Sequence, residues 1–172
     1  MKNIYLVSSF FLPYQNANAF AIGKKIIALS REKYKITVLT YDLSNIFNKS
    51  KFWNSKIRHI KKVYISNIKY CFIKRIIQGF KNIVLSKRGD LIISYFHLSE
   101  LAYLSLILKK IYRCPWVVIY SDPPMYMNPF INKKNIKVKL SEVFTSYIPT
   151  KLSIRYSDKI IFNDIWQAKY IL

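Results

Sequence analysis

The sequence predicts an α/β domain with a doubly wound, mostly parallel sheet and helices on both faces. Three observations carry that reading. Short apolar, β-branched runs end abruptly in polar residues or proline, as strands buried on both faces do. Between them lie segments with apolar residues at helical spacing. The two kinds alternate along the chain, the order that builds βαβ units with right-handed crossovers.

The elements follow in sequence. Ile4–Ser8 is a first strand, running into Phe10-Phe11-Leu12-Pro13. Asn16 or Asn18 caps the next helix, and Ile22, Ile26 and Leu29 set its apolar stripe as far as Leu29 or Ser30. Lys35–Thr40 is a second strand and Val63–Ser66 a short third. Ile68, Phe72, Ile76, Phe80 and Ile83 then recur at near-helical spacing, with Lys69, Lys74, Arg75 and Lys81 interleaved. That is a basic amphipathic helix. Two roles stay open for it: a core-packing helix with a solvated basic back, or a membrane-surface helix. Asp90–Tyr95 is a fourth strand, Leu98–Tyr112 a helix closed by Lys109, Lys110 and Arg113, and Trp116–Tyr120 a fifth strand. Val138–Tyr156 is mostly helical, with a kink or break at Pro149. Lys159–Phe162 is a sixth strand, and Asp164 opens a last helical turn.

A chain of 172 residues with 52% hydrophobic content has ample material for one core, and residues 1–172 read as a single domain with no linker. Twenty-nine Lys and Arg against eight Asp and Glu give a net charge of +21. Such a surface attracts anions: nucleic acid, lipid headgroups or phosphorylated substrates. From Leu43 to Gly89 there is no acid at all. Cys71 and Cys114 make no disulfide framework and fit a reducing compartment. No secretory signal and no bilayer-length apolar run is visible; Leu98–Leu108 is broken by Ser99, Glu100 and Ser105.

Several chemistries are excluded by what the chain lacks. Glycine occurs only at Gly23, Gly79 and Gly89, so neither a dinucleotide fingerprint nor a P-loop can form. His59 and His97 have no partners at ligand spacing, so no metal is expected, and no cofactor. No nucleophile elbow is present.

Four places then carry a resemblance. They are the first strand through Phe11-Leu12-Pro13 into Lys35-Ile36-Thr37-Val38-Leu39-Thr40; Asp90-Leu91-Ile92-Ile93; Pro115-Trp116 leading to Ser121-Asp122-Pro123, with Asn128-Pro129 behind; and Ser157-Asp158-Lys159-Ile160-Ile161-Phe162-Asn163. Taken in order, they make the chain similar to the N-terminal domain of a GT-B glycosyltransferase of the family 4 type. The resemblance implies an acceptor-binding, Rossmann-like domain that faces a donor-binding domain across a cleft. The donor domain's Glu pair and phosphate clamp have no positions here to map onto. The expectation is an acceptor half: a fragment, a truncated product, or one subunit of a split enzyme with a separate donor subunit. Nucleotide-sugar and acceptor would then be engaged only together with a donor domain. The expected setting is cytoplasmic, peripheral on the inner face of an anionic membrane.

The resemblance also implies sites. Asp122, at the mouth of a strand, would orient or deprotonate the acceptor hydroxyl. Asn16, Ala17 and Asn18 occupy the loop where the family carries a glycine pair near the donor diphosphate, and Asn tolerates the left-handed backbone such a loop uses. Tyr95, His97 and Tyr126 would line the acceptor pocket; His97 stands two residues farther from Asp90 than the family's histidine does. Apart from the resemblance, on the membrane-surface reading of the basic amphipathic helix, Lys69, Lys74, Arg75 and Lys81 would face the membrane. The family's Trp after Asp-Pro is Pro124 here. Two rivals remain: a basic nucleic-acid-binding module, disfavoured because no nucleic-acid motif is present and the bases are spread through helices and loops alike, and a non-enzymatic membrane-bound relic of a split gene.

Overall fold

The computed structural model describes residues 2–32, 34–67, 71–84, 89–96, 101–120 and 143–162. Six strands form one sheet: β1 Asn3–Ser8, β2 Lys35–Asp42, β3 Lys61–Asn67, β4 Leu91–Phe96, β5 Trp116–Tyr120 and β6 Lys159–Phe162. Their order is β3-β2-β1-β4-β5-β6, and every pairing is parallel. This is the doubly wound Rossmann order, whose direction of winding reverses between β1 and β4.

Successive strand residues point to opposite faces, and both faces are covered. On one, Ile4, Leu6, Ile36 and Val38 pack with Ile22 and Ile26 of α1 (Ala17–Arg31) and with Ile57 and Ile60, which follow the short α2 (Lys51–Lys56). On the other, Val7, Leu39, Ile65, Ile92, Trp116 and Val118 pack with Leu101, Leu104 and Leu108 of a helix at Leu101–Tyr112. The preceding helix, α3 (Phe72–Val84), lies on this second face through Gly79, beside that Leu101–Tyr112 helix, α4. A Cβ at Gly79 would collide with Ile65 Cγ2 and stand 2.7 Å from Leu104 Cδ1, so glycine is what lets α3 sit so close.

Several elements differ from the sequence reading, beginning with strand β2, which runs two residues past Thr40 to Asp42. Strand β3 begins two residues earlier than expected, at Lys61, and runs on to Asn67, so the helix expected from Ile68 begins at Phe72. Helix α2, unforeseen, is one and a half turns capped by Ser50, whose hydroxyl accepts the Trp53 N–H at 3.4 Å. It is too short to show a period. Near the C-terminus a π-helical turn, Val143–Tyr147, passes directly into α5 (Ile148–Tyr156). Pro149 sits in the first turn of α5, at the point where the π-helical turn gives way to the α-helix. The last helical turn expected from Asp164 lies outside the described residues.

Two acids stitch the N-terminal edge of the sheet. Asp90 Oδ2 accepts the Asn3 N–H at 2.7 Å, and Asp158 Oδ2 accepts both the Trp116 N–H and the Lys109 ammonium at 2.7 Å. The Lys109 hydrogen bond, then the Trp116 N–H, holds the Asp158 carboxyl below its ordinary 3.8. A depressed carboxyl contributes stability that is fully present above the unfolded value and is lost as the pH falls through the folded one. Asp158→Asn should therefore flatten the acid limb of stability below about pH 4. Denaturant unfolding of both proteins across that limb checks this; parallel limbs would show that the carboxylate is not held.

Candidate functional site

A parallel sheet gathers the C-terminal ends of all its strands on one edge, and the helices that follow β1 and β4 lie on opposite faces of it. The resulting crevice is the natural ligand position in such a sheet. In this chain the β1–α1 loop forms its rim.

That loop is tied to the segment after β2. Gln15 N–H donates to Asn48 O at 3.0 Å, Ser50 N–H donates to Pro13 O at 2.9 Å, and Tyr14 bridges Lys49. The Tyr14 hydroxyl donates to Asp42 Oδ1 at 2.7 Å, and the Ser44 N–H donates to the same oxygen at 3.1 Å. The Lys49 ammonium stands 5.5 Å from the centre of the Tyr14 ring. The Tyr14 hydroxyl, with help from Ser44 and the Lys49 charge, holds the Asp42 carboxyl below its usual value. Burial first, and then donation to Asp42, pushes the Tyr14 phenol up, so Tyr14 stays protonated and Asp42 ionised at neutral pH. Burial and the nearby Lys49 charge lower Lys62 on the adjoining strand.

Sequence reasoning passes over Asp42 and Tyr14. Among the described residues Asp42 is the carboxylate at the C-terminal edge. The signal that singles out Asp122, an acid closing an apolar strand, applies equally to Asp42 after Lys35–Tyr41.

Of the two cap candidates, the structure uses Asn16. Its side-chain oxygen accepts the N–H groups of Asn18 at 2.9 Å and Ala19 at 3.4 Å. Asn16 is extended, at φ −142° and ψ 138°, and Ala17 and Asn18 open α1. The left-handed backbone that asparagine tolerates is not used in this loop. A diphosphate approaching Asn18 would compete with the Asn16 oxygen for the same N–H.

Tyr95 stands near the end of β4, paired with Ser8 and Ile119. It is only 5% exposed, packed on the α1 face with the Lys25 ammonium 5.6 Å from its ring centre. Tyr95 is thus part of the α1-side core rather than an open surface. Lys74 and Lys81 are exposed on α3, whereas Arg75 is half-buried with its guanidinium 5.6 Å from the Tyr41 ring centre. Asp122, His97, Tyr126 and Lys69 lie outside the described residues. The described residues before His97 and Asp122 end at Phe96 in β4 and at Tyr120 in β5. Among the described residues no group of His, Cys, Asp and Glu is arranged to hold a metal ion, and no helix is long and apolar enough to cross a membrane.

No protein-family model matches the chain, and no curated protein sequence does. Solved structures do match in fold. Sucrose-phosphate synthase from Thermosynechococcus elongatus superposes with a TM-score of 0.66 at 10% identity, over 99% of this chain and 44% of that one. Anabaena HepE, solved in complex with UDP and glucose, superposes with a TM-score of 0.62 at 12% identity, over 99% of this chain and 40% of that one. The fold is therefore Rossmann-like and of the kind found in glycosyltransferases. The chain spans less than half the length of either protein.

Proposed function

We propose that these residues are the acceptor-binding half of a bacterial GT-B glycosyltransferase of the family 4 type. It would transfer a sugar from a nucleotide-sugar to a lipid-linked or polysaccharide acceptor at a membrane surface. The observation that carries the reading is the sheet whose β1/β4 switch point opens at its C-terminal edge, in a chain that follows a UDP- and glucose-binding protein along 99% of its length.

In this reading Asp122 addresses the acceptor hydroxyl, and His97 and Tyr126 line the pocket beside Tyr95. The Asn16–Asn18 turn lies on the donor side. The donor half, in the same chain or a separate subunit, grips the nucleotide and stabilises the charge that develops on the leaving diphosphate, which these residues alone cannot do. Residues 1–172, purified and given UDP-glucose with an oligosaccharide acceptor, should release no UDP. The acceptor alone should perturb the amide resonances of Tyr95 and Tyr120 and leave those of Asn16 and Asn18 in place. Turnover by these residues alone would overturn the assignment to an acceptor half. An unperturbed C-terminal edge would overturn the acceptor site.

A further inference from the structure

The outward side of α3 does not match its role as a packing helix. Its inward side is fully used: Ile76 packs on the core, Gly79 meets Ile65 and Leu104, and the Asn82 amide donates to Tyr64 O at 2.9 Å and Ile65 O at 3.0 Å. Yet Ile73, Ile77 and Phe80 are 66%, 52% and 43% exposed. Spaced i, i+4 and i+7, they form one line along the helix. With 3.6 residues per turn, Lys74 and Lys81 fall together along one flank of that line, both exposed. The apolar arc of the helix is wider than its contact with the domain, and the excess is bordered by positive charge.

We propose that α3 lies flat on an anionic lipid bilayer, with Ile73, Ile77 and Phe80 entering the boundary between headgroups and acyl chains and Lys74 and Lys81 among the headgroups. The proposal rests on the membrane-surface reading above and adds which face meets the lipid and what holds it there: apolar insertion, with charge as the guide. Charge complementarity selects this occupant over a second copy of the chain. A two-fold contact through the stripe would set Lys74 and Lys81 close to their own images, between chains that each carry +21. An anionic bilayer offers the opposite charge and an apolar layer together.

Cosedimentation with phosphatidylcholine–phosphatidylglycerol vesicles tests this with the protein as it is. The variant carrying Ile73→Ser, Ile77→Ser and Phe80→Ser should partition roughly a hundredfold less than the wild type. Phe52→Ser, which removes an equally exposed ring (60%) from α2 on the opposite face, should bind like the wild type. Lys74→Gln with Lys81→Gln should weaken binding to the anionic vesicles and leave the weak binding to phosphatidylcholine alone unchanged. Thermal midpoints confirm that the outward substitutions leave the fold intact. Equal partitioning of the triple variant and the wild type would overturn the proposal. So would sedimentation velocity showing a wild-type dimer that the triple variant abolishes, since the stripe would then seat a second copy. The vesicle assay involves no sugar chemistry, so its failure and a failure of the glycosyltransferase reading are separately visible.

Discussion

On the proposed reading, Asp122→Asn in a chain joined to a competent donor domain should cut kcat by about 10²–10⁴ while leaving the thermal midpoint in place. Strand β5 reaches the C-terminal edge of the sheet at Tyr120, two residues before Asp122 in the sequence. A carboxylate that takes or orients the proton of an acceptor hydroxyl acts chiefly in the transition state. Its loss should lower kcat and kcat/KM together, with little change in KM. If the departing diphosphate itself takes the proton, Asp122 only orients the acceptor, and the effect falls toward the lower end of that range. Asn has nearly the same shape and caps turns as well as Asp. A carboxylate that merely initiated the turn at Pro123 would therefore be replaced at little cost to stability and none to turnover. Near wild-type kcat in a folded variant would remove Asp122 from the mechanism.

The fold class is legible because a parallel sheet covered on both faces writes each inner strand as an apolar run. The run at Trp116–Tyr120 matches β5 at both ends, and Lys159–Phe162 matches β6. Edge strand β3 is harder to read. Lys61 and Tyr64 are exposed, so only its middle looks like a strand, and the apolar spacing from Ile68 suggests a helix earlier than the one that forms. In α3 the apolar spacing is visible but its direction is not. Spacing alone puts Ile76 and Phe80 on one stripe, whereas the structure turns Ile76 to the core and leaves Phe80 facing out with Ile73 and Ile77. A helical period gives the angle between side chains; which part of the arc meets the sheet depends on where Gly79 allows close approach. The Tyr14–Asp42 pair joins residues 28 apart in sequence and needs two loops to meet, which no local pattern encodes. Asn16, by contrast, acts within three residues of itself, so its capping role can be read from the local sequence.

Trp116→Ala should destabilise the domain by about 3–5 kcal/mol. That is a large share of the roughly 5–15 kcal/mol that holds a domain of this kind together. Trp116 is fully buried at the start of β5, between Ile92 on one side and the backbone of Asp158 on the other. It shares its core with Leu104, Leu108 and Cys114. Its indole N–H donates to Ser94 Oγ at 2.8 Å, and Ser94 in turn meets Ser105 Oγ at 2.7 Å across the gap to α4. Truncation to Ala removes the volume, but Ser94 keeps Ser105 as a partner, so no hydroxyl is stranded and the loss is mainly one of packing. Trp116→Phe separates the two contributions. It retains most of the ring and forfeits the single hydrogen bond, for about 1–2 kcal/mol. Denaturant unfolding should show both midpoints lowered with the slope unchanged. If Phe costs as much as Ala, the bond to Ser94 rather than the filled volume fastens α4 to the sheet. If Ala costs less than about 1 kcal/mol, the second face of the sheet is not packed as described.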